Sequence, residues 1–150
     1  MRRTPGVPFP AGSPRRPTAP CPCGLGLTYA ECCGRYHAGA PAPTAETLMR
    51  SRYTAFVVGD WAYVARTWAE ETRPSNLAVA PGGEPFTRLE IVETVAGGPF
   101  ANEGVVEFAA HYPGGVQRER SRFERRAGHW VYVDGMATSR FPFRDDSGVI

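Results

Sequence analysis

The sequence predicts an α+β fold, and three observations predict it. Two stretches between residues 44 and 74 carry apolar residues at helical spacing. From Thr87 onward, segments rich in Val, Ile, Thr and aromatic residues alternate with short Gly- and Pro-containing breakers. Ahead of both stands a tight cluster of cysteines that is too poor in large apolar side chains to fold alone. Helices followed by a short-looped meander give an antiparallel sheet with the helices on one face. The 150 residues, 42% of them hydrophobic and 21% charged, suffice for one buried core plus a small appendage. No apolar run approaches the roughly 18 residues that a membrane span needs, so no membrane partner is expected.

The chain opens on a tail. Residues 1–20 hold six prolines, four arginines and no acid. Proline fixes φ and removes backbone donors, so this stretch is expected to be extended or disordered. The arginines at 2 and 3 are not followed by the apolar stretch of a signal peptide, because Pro8 and Pro10 interrupt it. The localisation expected is therefore cytoplasmic. All 17 basic residues are arginine, and beyond the tail acids outnumber them, 15 against 13. The folded part is not broadly basic, so nucleic acid is not expected as a partner. The remaining route to RNA would be the arginine tail, with salt-sensitive binding that disappears when residues 1–20 are deleted.

All four cysteines lie between positions 21 and 33, as Cys21-Pro22-Cys23-Gly24 and Cys32-Cys33-Gly34. Adjacent or near-adjacent cysteines are poorly placed to bridge each other, and a reducing compartment disfavours disulfides. Two close pairs can instead close a tetrahedral thiolate shell around zinc. Such a shell leaves no open coordination position, which makes the site structural, and metal binding would supply the folding free energy that residues 21–35 lack. Four inert thiols and a redox sensor are the other readings of the same residues. Cys21 to Gly24 is expected to turn tightly, with glycine at an unusual φ. Thr28 to Cys33 is expected to form a helical turn presenting the second pair. His37 is close enough in sequence to replace a ligand.

Thr44 is placed to cap the first helix, with Glu46 in its first turn and Gly59 at its end. Ala45, Leu48, Met49, Tyr53, Phe56 and Val57 form its apolar stripe. Asp60 caps a second helix carrying Trp61, Val64, Ala65, Trp68 and Ala69, and Pro74 closes that segment. Arg52 falls inside the first stripe. A core-facing arginine needs a partner, because an unpaired buried charge is very costly. It is either paired internally or snorkelling, or it binds an anionic ligand.

The predicted strands are Arg88–Val95, Gly104–Tyr112, Gln117–Arg126 and His129–Asp134, the last two joined as a hairpin at Ala127-Gly128. Alternation puts Val105, Glu107, Ala109 and His111 on one face and Val106, Phe108, Ala110 and Tyr112 on the other. It likewise separates Arg118, Arg120, Arg122 and Glu124 from Glu119, Ser121 and Phe123, and Trp130, Tyr132 and Asp134 from Val131 and Val133. The charged residues form either cross-strand ion pairs on a wet face or part of a cavity between sheet and helices. In a cavity, a carboxylate beside a histidine could act as a general base.

Cys-Pro-Cys-Gly-Leu-Gly-Leu-Thr-Tyr-Ala-Glu-Cys-Cys-Gly resembles the SEC-C motif, known from the C-terminal tail of the SecA translocation motor. That resemblance implies one zinc ion held by Cys21, Cys23, Cys32 and Cys33. Leu25 stands where the motif usually has serine, and Leu27 and Thr28 where lysines commonly follow, so an electrostatic docking role does not carry over. Further on, Leu-Met-Arg-Ser-Arg-Tyr-Thr-Ala-Phe, Leu-Glu-Ile-Val, Val-Val-Glu-Phe, Glu-Arg-Ser-Arg-Phe and Trp-Val-Tyr-Val-Asp-Gly occur in order. Together with Cys-Cys-Gly-Arg-Tyr-His they resemble the YchJ-like family of bacterial proteins, over roughly residues 21–137. Arg118 stands where the resemblance would place a histidine.

The resemblance implies a cone-shaped nuclear-transport-factor-2-like (NTF2-like) domain, with helices packed on a curved antiparallel sheet, joined to the N-terminal zinc module. The expected organisation is a Pro/Arg-rich tail (1–20), the SEC-C-like motif (21–39), the NTF2-like domain (40–140) and a C-terminal tail (141–150). A homodimer through the open sheet face is compatible with such a fold. Fold alone does not choose a function. The favoured expectation is a cytosolic zinc-binding accessory protein that engages a protein partner or small ligand, with one structural Zn2+ per chain. No complete catalytic constellation is recognisable, which leans against an enzyme. The alternative is a ligand pocket, or a lyase- or isomerase-like active site, formed by Arg52, Tyr53 and Trp68 from the helices and Glu107, His111 and Asp134 from the sheet.

Overall fold

The computed structural model describes residues 16–75 and 85–141. Three helices precede four strands: α1 (Cys33–His37), α2 (Ala45–Val58), α3 (Trp61–Arg66), β1 (Arg88–Ala96), β2 (Glu103–Tyr112), β3 (Gly115–Arg126) and β4 (His129–Phe141). The strands form one antiparallel sheet in the order β1-β2-β3-β4, and the helices cover one face. The expected α+β architecture is observed. Among the described residues, no helix is long and apolar enough to cross a membrane.

Helix α2 organises the core. The Thr44 hydroxyl accepts a hydrogen bond from the Thr47 amide at 3.1 Å, and Gly59 ends the helix in the left-handed region. Leu48, Met49 and Tyr53 pack with Val106, Phe108 and Ala110 of β2, Phe123 of β3, and Trp130 and Tyr132 of β4. The Phe108 and Phe123 faces of β2 and β3 are therefore the dry ones. Helix α2 is also buried on a second side, where the Ser51 carbonyl and the Thr54 hydroxyl meet the cysteine module. Its apolar stripe alone marks only the sheet-facing side.

Three differences from the predicted elements have physical causes. Helix α3 stops at Arg66 instead of running toward Pro74. Beyond it the chain lies along the β4 edge, where the Tyr132 amide donates to the Thr67 carbonyl and the Ala69 amide donates to the Tyr132 carbonyl, both at 2.8 Å. These bonds satisfy an edge that would otherwise be open. Strand β4 continues past Asp134 to Phe141, and the register slips so that Arg122 faces Asp134 while Phe123 faces Tyr132. This bulge reverses the alternation: Tyr132 points into the core, whereas Asp134 joins Arg122 on the outer face. The helical turn expected at Thr28–Cys33 is instead a run of turns leading into α1, which begins at the second cysteine pair.

Residues 17–20, expected to belong to the tail, hydrogen-bond into the module. The Tyr29 amide donates to the Ala19 carbonyl at 2.8 Å and the Ala30 amide to the Pro17 carbonyl at 3.0 Å. The rest of the expected N-terminal tail, residues 1–15, and the C-terminal stretch 142–150 lie outside the described residues.

Candidate metal centre

Two short devices bring the cysteines together. In the first, the Cys21 amide donates to the Leu27 carbonyl at 3.0 Å and the Gly24 amide to the Cys21 carbonyl at 3.2 Å. This closes a knuckle in which Gly24 sits at φ 87°, a conformation that costs a side-chain-bearing residue energy. In the second, turns from Thr28 to Cys32 run into α1 and present Cys32 and Cys33. All four thiols are free and buried, and their sulfurs lie within 4.8 Å of one another. Cys23 and Cys32 Sγ are 3.5 Å apart. A tetrahedral zinc–thiolate shell with Zn–S bonds of about 2.3 Å needs sulfurs about 3.8 Å apart, so the four donors fit.

The protonation chemistry agrees with that fit. Hydrogen bonds from the Cys23 and Cys33 thiols pull the Cys21 thiol far below its usual range. The partnership with Cys21 drives Cys33 the other way, and burial pushes Cys32 up to about 12. One thiolate is stabilised at the expense of its neighbours. A divalent cation would supply the charge that ionises all four and ties them into one shell.

His37 is not part of that shell. Its Nε2 donates to the Ser51 carbonyl at 2.9 Å, and its Nδ1 lies 2.7 Å from the Tyr29 hydroxyl. Both ring nitrogens are engaged, so His37 pins α1 to α2 instead of replacing a ligand. Arg66 adds a second tie, donating to the His37 carbonyl at 3.1 Å.

The six residues expected to line a pocket divide into two groups. Arg52, Tyr53 and Trp68 are buried on the helix side. Arg52 Nη1 donates to the Val64 carbonyl at 3.0 Å and to Thr67 Oγ1 at 2.8 Å. Its guanidinium stacks 5.0 Å from the Trp68 ring and 4.6 Å from the Tyr132 ring. Tyr53 packs its ring 5.8 Å from that of Phe86. Glu107, His111 and Asp134 belong to the opposite face of the sheet. Glu107 pairs with Arg120 at 3.0 Å and Arg118 at 3.5 Å, His111 lies 3.2 Å from Glu90, and Asp134 takes both arms of Arg122 at 2.8 and 2.9 Å. The sheet separates the groups, and they do not converge on one cavity.

The fold and the cysteine geometry find a direct counterpart among known proteins. The family model described as "YchJ, middle NTF2-like domain" matches residues 44–135, and that of the SEC-C motif matches residues 18–35. The chain belongs to the YchJ-like family. It is 57% identical over 120 residues to a UPF0225 protein of Streptomyces coelicolor, covering 79% of this chain and 96% of that one. It is 56% identical over 119 residues to a UPF0225 protein of Corynebacterium glutamicum, covering 77% and 94%. The solution structure of a SEC-C motif containing protein from Rhodopseudomonas palustris superposes with a TM-score of 0.68 at 32% identity, covering 79% of this chain and 98% of that one. A second SEC-C motif containing protein, from Psychrobacter arcticus, gives 0.59 at 27% identity, covering 81% and 83%.

Inside the NTF2-like domain, the structure adds a residue that the pocket candidates omitted. Glu119 on β3 is 1% exposed. Its carboxylate accepts from Tyr132 Oη at 2.7 Å and from Ser121 Oγ at 3.0 Å. A Cβ at Gly135 would overlap this carboxylate, so the glycine after Asp134 is what admits it. Burial pulls the Arg52 guanidinium down to about 10, and Tyr132, Tyr63 and Glu119 oppose the shift. Burial, reinforced by Glu119, pushes the Tyr132 phenol well up, so it remains a donor. The signal for Glu119 was its shared parity with Phe123.

Proposed function

We infer that the chain is a zinc-binding accessory protein of the cytosol, with a structural zinc ion in its SEC-C motif and an NTF2-like domain that engages a partner. The observation carrying this reading is the convergence of four buried sulfurs within 4.8 Å. Four protein thiolates fill a tetrahedral shell and leave no place for substrate or for an activated water. Free thiols in this number fit a reducing compartment. The enzyme alternative asked Glu107, His111 and Asp134 to meet Arg52 and Trp68, and the sheet stands between them.

Cobalt substitution tests the closed site. A Co(II)-loaded protein is expected to show the absorption of a tetrahedral four-thiolate complex that stays unchanged when azide or imidazole is added. Bands that shift on adding either molecule would reveal an open position and overturn the structural assignment. Native mass spectrometry of untagged protein from cell extract tests the accessory role. A stoichiometric partner subunit is expected, and a retained small molecule in its place would overturn it.

A further inference from the structure

The motif Leu48-Met49-Arg50-Ser51-Arg52-Tyr53-Thr54 serves the two sides of α2 differently. Leu48, Arg52 and Tyr53 belong to the sheet side, whereas Arg50 and Thr54, one helical turn apart, meet the cysteine module. Thr54 is 0% exposed, and its Oγ1 lies 3.7 Å from Cys21 Sγ. A threonine hydroxyl inside a helix often turns back to the carbonyl four residues earlier. Here that carbonyl, of Arg50, faces Cys33 Sγ at 3.6 Å. Arg50 itself reaches over the module. Glu46 holds its Nε at 3.0 Å, and its Nη1 donates to the Cys23 carbonyl at 3.0 Å. His37 closes the far end on the Ser51 carbonyl. Two of the four cysteines are thus met by α2 groups able to donate, Cys21 at its sulfur by the Thr54 hydroxyl and Cys23 at its carbonyl by Arg50, whereas the Arg50 carbonyl can only accept from a protonated Cys33.

We propose that α2 supplies the outer shell of the metal site, with Thr54 as a positioning residue whose hydroxyl donates to the Cys21 thiolate. This rests on the zinc reading above. A metal-bound thiolate carries no proton, so at this contact the hydroxyl is the donor. A hydrogen bond to a ligand sulfur orients it and stabilises its negative charge, and such outer-shell partners commonly change metal affinity by about 10–100-fold. Because the donor sits on the central helix of the NTF2-like domain, metal binding and docking of the module onto α2 become one thermodynamic event.

The test uses the full chain with Thr54→Val, which keeps the shape and removes the hydroxyl, and Thr54→Ser, which restores it. Zinc affinity is measured by competition with a chromophoric chelator, and Co(II) loading reports the thiolate-to-metal charge-transfer band. The expected result is about tenfold weaker zinc binding and a displaced charge-transfer band for Thr54→Val, with Thr54→Ser returning both toward wild type. Wild-type affinity and an unchanged band in Thr54→Val would overturn the proposal while leaving the zinc site standing. A wild-type chain that binds no zinc would instead overturn the zinc reading, and this inference with it. Should Thr54→Val fail to fold, amide exchange of the wild-type chain decides. Zinc removal is then expected to speed exchange in α2 around residues 50–54 while β2 and β3 stay protected, and unchanged exchange in α2 would overturn the proposal.

Discussion

The cysteine module and the NTF2-like domain are held together by opposite means. The domain closes over large side chains, with Phe108, Phe123, Trp130 and Tyr132 buried beneath α2. The module has four sulfurs at its centre, and its leucines, Leu25 and Leu27, face solvent. Burying a large side chain is worth about 1.5–3 kcal/mol, and the domain has many such residues to draw on. The module has few, and its four sulfurs, within 4.8 Å of one another, could hold a metal ion in their place. Helix α2 belongs to both, packing Leu48, Tyr53 and the buried Arg52 against the sheet and turning Arg50 and Thr54 to the module. One helix thus joins the sulfur-lined and the aromatic parts of a single buried cluster.

Emptying the proposed metal site is expected to have the greatest consequence. Chelation of the metal, or Cys23→Ser, is expected to disorder residues 17–39 while the four-stranded sheet persists. Structural zinc contributes about 10–16 kcal/mol of apparent binding free energy in small modules, and nothing else here is of that size. Amide exchange mapped along the chain checks it. Simultaneous loss of β2–β3 protection would show that the two regions are one cooperative unit.

The next effect lies in the domain. Glu119→Ala takes the shared acceptor from the buried Tyr132 and Ser121 hydroxyls and is expected to cost about 1–3 kcal/mol in denaturant unfolding for each donor left unsatisfied, with metal content unchanged. Gly135→Ala forces a methyl group against the same carboxylate and is expected to cost about 1–3 kcal/mol. A metal loss equal to that of Cys23→Ser in either variant would contradict the separation of the two regions.

The smallest effect is at the surface. Hydrogen bonds from Arg126 pull the Glu71 carboxyl down to about 2. A depressed folded pKa stabilises the protein above the unfolded value of about 4.3, and that contribution fades as pH falls toward the folded one. Unfolding midpoints measured across this acid range are expected to fall slightly less steeply in Glu71→Gln than in wild type. Both side chains are solvent-exposed, so screening keeps the difference small.

Much of this organisation is legible in local sequence. Thr44 and Gly59 bracket α2 because capping depends on neighbouring residues alone. The cysteine cluster is legible because its two close pairs lie within 13 residues of chain, and β1 to β3 begin and end within a few residues of their predicted limits. What escaped depends on distant partners. The end of α3 is set by Tyr132 of β4, which takes up the backbone groups of Thr67 and Ala69. The bulge opposite Arg122 reverses the parity of Asp134, and no pattern within β4 announces it. Glu119 is charged and sits on a strand full of arginines. Its burial becomes intelligible only beside Tyr132, Ser121 and Gly135.

Cys21, Cys23, Cys32 and Cys33 are proposed to hold one zinc ion in a closed shell. The most direct measurement is the metal stoichiometry of reduced, chelator-free protein by native mass spectrometry, for the wild type and for Cys32→Ser. One zinc per wild-type chain and a large loss of zinc in the variant are expected. Wild-type protein that remains metal-free in the presence of zinc, or a variant that retains a full equivalent, would contradict that proposal.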